Sequence, residues 1–151
     1  MMLIITEISE AVNADRNGRK ANIDFFKRKY SGSDSKFGYE KCIKGSTEEE
    51  LADVVIRCLD YAGLKNIDIN PISSNSSYWY DKDESTFTEY MFDALRDLII
   101  PPITLIGKYQ INRVISAMFE IADKLGVDLF WHIEQKMKYN ELRPMLNGKK
   151  Y

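Results

Sequence analysis

Several residue types that common classes of protein require are scarce in this sequence. It has one histidine, two cysteines and four prolines among 151 residues. Cys42 and Cys58 match no metal-ligand spacing and cannot form a disulfide framework, so we expect free thiols and a reducing compartment. His132 has no cysteine or serine nucleophile signature near it. A catalytic triad and a zinc site of the usual kind are therefore not expected.

Long hydrophobic runs and a strong net charge are also missing. The first residues, MMLIITEISE, turn acidic after a short apolar stretch, so we expect a cytoplasmic protein with neither a signal peptide nor a membrane span. The net charge of −2 argues against broad electrostatic binding of nucleic acid. The eight glycines are scattered and form no phosphate-binding loop. Any phosphate group would therefore be held by a metal ion and side chains.

What the sequence does contain is helical periodicity, with no convincing run of strict alternation. It predicts an all-α fold, a helical bundle of about four to five helices in a single domain over residues 1–151, with a loop-rich excursion at about 66–85. Residues 19–46 are mixed and suggest an irregular connection with room for one short helix. Helices are predicted over about 2–16, from Ser46 or Thr47, and over about 86–98, 105–125 and 129–140.

One acidic residue falls where this periodicity predicts an apolar side chain. On a helix that advances about 100° per residue, Glu7 projects into the stripe formed by Leu3, Ile4, Ala11 and Ala14. A buried carboxylate without a partner is costly or takes up a proton, and its usual partners are a counter-charge or a metal ion. Glu10 lies beside it, three residues further on.

A second acidic pair, Glu50 and Asp53, has the same spacing of three residues. It begins a helix whose N-cap is Ser46 or Thr47, and acidic residues 48–50 suit the positive end of that helix dipole. The second pair offers no counter-charge to the first. We therefore interpret the two pairs as oxygen ligands from two helices for Mg²⁺, with Mn²⁺ as a substitute. Acidic pairs are also common on solvated helix surfaces, and this alternative stays open for the second pair.

The carboxyl-terminal region is basic and ends the helical pattern. Between Lys136 and Tyr151 the sequence contains five lysines and arginines and one glutamate, which gives a local charge of +4. Such a tail suits the oxygens of a metal-bound polyphosphate, although a solvated, fraying terminus has the same composition. Leu129, Ile133 and Met137 have the spacing of a core face, and His132 is interpreted as a packed or capping residue.

Two acidic segments and the carboxyl-terminal segment together resemble the MazG-like nucleotide pyrophosphohydrolases. EISEA at residues 7–11 with NADR at 13–16, and EELADVVIR at 49–57, match the family's ExxE and ExxD metal motifs. LGVDL at 125–129, HIE at 132–134, KMKYN at 136–140 and the Arg143-Pro144 pair look like its closing helix and basic tail. These segments cover about half of the chain, and they are specific in combination and order.

The resemblance implies an all-α NTP pyrophosphatase fold that hydrolyses an NTP or dNTP to the monophosphate and pyrophosphate. Family members are usually homodimers or homotetramers, which is the assembly expected here, with a nucleoside triphosphate as substrate and with neither nucleic acid nor membrane as partner. The residues that match the catalytic metal ligands are Glu7, Glu10, Glu50 and Asp53. The candidate substrate contacts are Lys136, Lys138, Tyr139, Asn140, Arg143 and Asp60.

An alternative function keeps the same fold without the reaction. The chain would then be a catalytically silent helical module that binds a nucleotide or a partner protein. Mg²⁺-dependent release of pyrophosphate separates the two hypotheses, because only the enzyme produces it.

Overall fold

The structure is a computed structural model that describes residues 1–30, 35–70, 85–100 and 108–143. These residues form seven α-helices and no strand, so the prediction of an all-α helical bundle is confirmed. The number of helices exceeds the four to five that were expected. In chain order they are α1 (Met2–Arg16), α2 (Ile23–Tyr30), α3 (Ser35–Cys42), α4 (Thr47–Lys65), α5 (Phe87–Ile99), α6 (Lys108–Lys124) and α7 (Leu129–Glu141).

The main hydrophobic core lies around α4, which packs against α1, α6 and α7. Leu51, Val54 and Cys58 of α4 are fully buried, as are Ile4 of α1 and Met118 of α6. The spacings of three and four residues place Leu51, Val54 and Cys58 on one face of α4. Because α1 and α4 pack side by side along this core, acidic residues at the edges of the two apolar faces meet.

The additional helices lie in the segment that was expected to be irregular. Both α2 and α3 are only eight residues long, and such helices are marginal without tertiary packing. They are stabilised by a second, aromatic core cluster shared with α7. Gly38 of α3 lies so close to Tyr30 of α2 that a side chain at this position would overlap the tyrosine. The sequence left room for one short helix in this segment, whereas the structure has two; their boundaries were not predictable because their periodicity extends over barely two turns.

The helix ends follow local signals in the sequence. The Ser46 side chain accepts a hydrogen bond from the backbone N–H of Glu49 at 3.2 Å, and Asp128 accepts one from Trp131 at 3.0 Å. Gly126 has a φ of +68° between α6 and α7, a conformation that glycine adopts without strain. Ser46 is therefore the N-cap of α4, one of the two predicted alternatives, and Asp128 is the N-cap of α7.

Some predicted features lie partly or wholly outside the described residues. Most of the excursion at 66–85 and the basic tail beyond Arg143 belong to this group. Within the described part of the excursion, the backbone N–H of Asn70 donates to Asn112 of α6 at 2.9 Å. Within the described ranges, none of the helices combines the length and hydrophobicity that crossing a bilayer requires.

The inward face of α7 differs from the one that apolar spacing predicted. Leu129 is buried, but Met137 is 53 % exposed and lines a cleft. The buried positions after Leu129 are His132, Lys136 and Tyr139. This face is polar because α7 packs against the acidic amino-terminal turn of α4, where a lysine finds carboxylate partners that a methionine would not.

Candidate metal centre

Three carboxylates from two helices converge in the structure. Glu7 of α1 and Glu50 and Asp53 of α4 each offer an oxygen, and these oxygens lie within 4.8 Å of one another. Glu7 and Glu50 are buried, and the Asp53 side chain is 14 % exposed. Residues 50 and 53 adjoin because they are three apart on one helix, and the packing of α1 on α4 adds Glu7. The structure thus brings together three of the four predicted ligands.

Glu10, the fourth predicted ligand, lies in the same cleft but outside this group of three. It is exposed, one helical turn beyond Glu7 on α1. The cleft has a volume of about 740 Å³ and is open to solvent. Asp60, Asn140 and Arg143 also line its walls, so these predicted substrate contacts share one cavity with the acidic residues. Their roles stay predictions.

Counter-charges are present, contrary to the sequence argument that the second acidic pair offers none. The Arg57 guanidinium donates from Nε to Oε1 of Glu7 at 2.9 Å and lies 3.5 Å from Asp60. The Lys136 ammonium donates to Oδ2 of Asp53. The argument failed because it considered one helix at a time: Arg57 lies one turn after Asp53 and reaches across to α1, and Lys136 comes from α7.

Lys136 is therefore placed differently from a solvent-exposed phosphate contact. It is only 8 % exposed and donates to Oε1 of Glu49 at 2.6 Å as well as to Asp53. Burial acts to lower the pKa of the ammonium, but the nearby Asp53 and Glu49 carboxylates outweigh it and raise the pKa. Lys136 is thus held as a cation inside the protein.

Glu49 is the residue of this site that the sequence interpretation missed. It was assigned to helix initiation, yet it is 2 % exposed and accepts hydrogen bonds from three elements. The donors are the hydroxyl of Tyr39 at 3.0 Å, the backbone N–H of Gly45 and the ammonium of Lys136. Its position one helical turn before Asp53 was the only available signal, because the lysine is 87 residues away.

Burial makes the ionised state of this cluster costly. Burial and the neighbouring carboxylates Glu49, Asp53 and Glu10 raise the pKa of Glu50 to about 8, although Lys136 opposes this shift. Burial raises the pKa of Asp53 to about 7 despite the attraction of Lys136. Burial, together with Glu49, also raises the pKa of the Tyr39 hydroxyl. The cluster therefore has more buried negative charge than Arg57 and Lys136 neutralise.

The donor set fits a hard divalent cation. All three converging groups are carboxylates, which are the ligands that Mg²⁺ and Mn²⁺ prefer over nitrogen or sulfur. Glu7 and Asp53 each bind a cationic side chain through one oxygen and retain a second oxygen for an ion. A bound divalent ion would also favour the ionised forms of Glu50 and Asp53, whose pKa values are raised chiefly by burial.

Two other predicted substrate contacts point away from this cleft. Lys138 is exposed and pairs with Glu134, one turn earlier on α7, at 3.1 Å. Tyr139 is buried, stacks on Tyr39 with ring centroids 4.5 Å apart, and donates its hydroxyl to Glu40 at 2.9 Å. Both line a separate small cavity at the α3–α7 junction. In this arrangement Tyr139 supports the aromatic cluster.

His132 is packed, as the sequence interpretation expected, and its polar atoms are unusual. It is 1 % exposed, and neither ring nitrogen has a hydrogen-bond partner in the part of the chain that the structure describes. Burial lowers the pKa of the imidazole, although the carboxylates of Glu48, Asp128 and Glu49 act in the opposite direction. The histidine is therefore neutral in the folded protein at neutral pH.

Replacing His132 with Leu is expected to reduce acid sensitivity. An unfolded histidine has a pKa of about 6.5, so below this pH the unfolded wild type binds more protons than the folded protein, and stability is lost as the pH falls. The variant lacks this loss. Urea unfolding at about pH 7.5 and pH 5.5 should show the stability of the variant rising relative to wild type at the lower pH. A constant difference at both pH values would contradict the neutral assignment.

Comparison with known proteins adds no relative to this geometry: no family model, no characterised protein and no solved structure matches the chain.

Proposed function

We propose that the protein is a Mg²⁺-dependent nucleoside triphosphate pyrophosphohydrolase of the MazG-like type. The observation that carries the proposal is the convergence of Glu7, Glu50 and Asp53 from two helices in a solvent-open cleft. It supports the proposal because these residues occupy the ExxE and ExxD motifs on which the resemblance rests. Arg143 and Asn140 line the same cleft.

Each part of the cleft has a role in this proposal. Mg²⁺ would be held by Glu7, Glu50 and Asp53, and it would supply positive charge that stabilises the negative charge developing on the phosphates. Arg143, Asn140 and Lys44 donate hydrogen bonds to phosphate oxygens, because they line the cleft beside the carboxylates. Glu10 is the exposed carboxylate and accepts the proton of the attacking water.

The proposed reaction is a hydrolysis at the α-phosphorus. Water forms a new bond to this phosphorus, and the bond to the oxygen bridging the α and β phosphates breaks. Pyrophosphate leaves with the bonding electrons, and the nucleoside monophosphate retains the oxygen from water. As in the family it resembles, the protein is proposed to act as a homodimer or homotetramer.

The decisive experiment measures pyrophosphate release from a panel of ribo- and deoxyribonucleoside triphosphates with and without Mg²⁺. We expect monophosphate and pyrophosphate in equal amounts, and ¹⁸O from labelled water in the monophosphate. Release of inorganic phosphate and a diphosphate would contradict the proposed bond cleavage. No turnover on any triphosphate would contradict the enzyme.

One observation favours the silent nucleotide- or protein-binding module as the second candidate. Arg57 already pairs with Glu7, and Lys136 already pairs with Asp53, so part of the acidic charge is neutralised without a metal ion. A silent module would bind a nucleoside triphosphate in calorimetry and leave it intact, whereas the enzyme would convert it in the presence of Mg²⁺.

Mg²⁺ binding is expected to release protons in a pH-dependent manner. A carboxylate binds the ion only when deprotonated, and Glu50 and Asp53 have pKa values of about 8 and about 7. At about pH 6.5 binding should release between one and two protons per ion, and at about pH 9 well under one. Calorimetry in two buffers with different enthalpies of ionisation measures this number. Equal proton release at both pH values would contradict ligation by these residues.

A further inference from the structure

Positive charge is concentrated in the part of the chain that contains α2 and α3. Between residues 16 and 44 there are nine lysines and arginines and three acidic residues, a local charge of +6. Since the whole chain has a net charge of −2, the remaining residues have a charge of −8. The expectation of no nucleic-acid partner rested on the net charge of the whole chain. The net charge conceals the separation of a basic segment from an acidic remainder.

These cations are available at the surface. All nine are exposed, and among the described residues only Lys20 pairs with a carboxylate, that of Asp15 at 3.5 Å. The contrast with the acidic cleft is clear, because Arg57 and Lys136 there are both paired. Unpaired cations at this density repel one another, and a bound polyanion would relieve this repulsion.

Aromatic rings lie directly beneath the cations. The buried ring of Tyr30 links the more exposed rings of Phe25 and Phe37 across α2 and α3, with ring centroids 5.8 Å and 6.0 Å apart. Lys29 lies 5.5 Å from the centroid of Phe25, and Lys41 lies 6.0 Å from that of Phe37. Phe37 is 59 % exposed, which leaves a ring face that is costly in water unless a partner covers it.

The same arrangement extends to the beginning of α7. Lys27 lies 5.0 Å from the centroid of the half-buried Trp131 ring, and Arg28 lies 5.8 Å from that of Phe25. We define the α2–α3 basic surface as Lys27, Arg28, Lys29 and Lys41 together with the rings of Phe25, Phe37 and Trp131.

We propose that the α2–α3 basic surface binds single-stranded nucleic acid. Cations interleaved with partly exposed aromatic rings match such a strand, since phosphates bind lysine and arginine while unpaired bases stack on the rings. A duplex would use the cations alone, because its bases are already stacked. An anionic membrane would likewise need only the cations and would not stack on the rings. This inference does not rest on the proposed hydrolase activity.

The test measures the anisotropy of a labelled oligothymidylate of about 12 nucleotides added to the full-length protein in EDTA, so that the acidic cleft binds no metal ion. If four cations contact phosphates, the logarithm of affinity should fall with the logarithm of salt concentration with a slope of about −2.8. Raising the salt from about 50 to about 200 mM would then weaken binding about 50-fold.

Two double variants that lower the net charge equally separate this surface from general electrostatics. Lys27→Gln with Lys29→Gln is expected to reduce the slope by about 1.4 and weaken binding at low salt. Lys65→Gln with Lys124→Gln, which changes exposed lysines of α4 and α6, should leave the slope unchanged. Equal loss in both variants would overturn the assignment to α2 and α3.

The stacking contribution is tested with Phe37→Ala. We expect at least about fivefold weaker binding of the oligonucleotide, with unchanged binding of inorganic polyphosphate of similar length, which has charge but no bases. Circular dichroism at the assay temperature verifies that the variant is folded. Unchanged oligonucleotide binding in folded Phe37→Ala, tighter binding of a duplex, or no binding by wild type at low salt would each overturn the proposal.

Discussion

Replacing Glu50 with Gln is expected to abolish Mg²⁺-dependent pyrophosphate release, with a loss of at least about 10³-fold in kcat/KM, or about 4 kcal/mol of transition-state stabilisation. Glu50 lies in the group of three converging carboxylates. Glutamine preserves the size of the side chain but removes the charge that binds a hard cation. Steady-state turnover and calorimetric titration with Mg²⁺ measure both consequences.

The same substitution is expected to stabilise the protein in the absence of metal. The pKa of Glu50 is about 8 in the folded protein and about 4.3 in an unfolded chain. Between these values the folded state binds more protons, so this residue makes the wild type less stable as the pH rises through this range. Glu50→Gln removes this loss, and at about pH 9 in EDTA its Tm should exceed that of wild type.

A matched control for Glu50→Gln is Glu134→Gln. Glu134 is exposed on α7 and, among the described residues, pairs with the exposed Lys138 alone, so activity and Mg²⁺ affinity should stay at wild-type levels. Full activity in folded Glu50→Gln would contradict the metal centre. Lower stability of Glu50→Gln than of wild type at high pH would contradict the raised pKa of the buried Glu50 carboxylate.

Replacing Lys136 with Met is expected to destabilise the metal-free protein by about 3–5 kcal/mol at about pH 8, because the loss of one partner leaves buried charges unpaired. The ammonium bridges Glu49 and Asp53 and is nearly inaccessible to solvent. For a chain of this length the loss corresponds to a decrease in Tm of about 10 °C. Urea unfolding and calorimetry measure the two quantities.

The pH dependence identifies the cause of this loss. In Lys136→Met the Asp53 carboxylate loses the cation that lowers its pKa and binds a proton more readily in the folded state, so the destabilisation should shrink as the pH falls to about 5. Lys138→Met, two residues further along α7 and exposed, is the control and should change stability by less than about 0.5 kcal/mol. A small effect of Lys136→Met, or the same loss at both pH values, would show that the buried ion pairs do not stabilise the fold.

The helices that the sequence predicted well are those with strong local signals. Ser46 and Asp128 are N-caps in the structure, and α1 ends at the Asn17-Gly18 pair. Capping depends on hydrogen bonds within one turn, which are encoded by neighbouring residues. The short helices α2 and α3 lack comparable signals, and their aromatic side chains become a core only against α7.

The candidate metal centre likewise has features that the sequence predicted and features that it did not. Spacing on single helices predicted that Glu50 and Asp53 adjoin, and the apolar stripe of α1 predicted that Glu7 is buried. The partners of these carboxylates were not predictable. Arg57 lies 50 positions from Glu7, and Lys136 lies 83 positions from Asp53. No periodicity relates residues that are so distant in sequence.

By itself, the sequence determined that this protein is helical, where most of its longer helices begin and end, and which carboxylates share a helix face. These properties depend on interactions within a few residues. The tertiary structure alone decided that Lys136 and Glu49 are buried together. It also decided that Met137, which the sequence placed on the core face of α7, is exposed. It also decided how many positive charges the acidic cluster receives. The physical reason is that the free energy of a buried charge depends on every helix that packs around it, and that packing is not encoded in the pattern of any one helix.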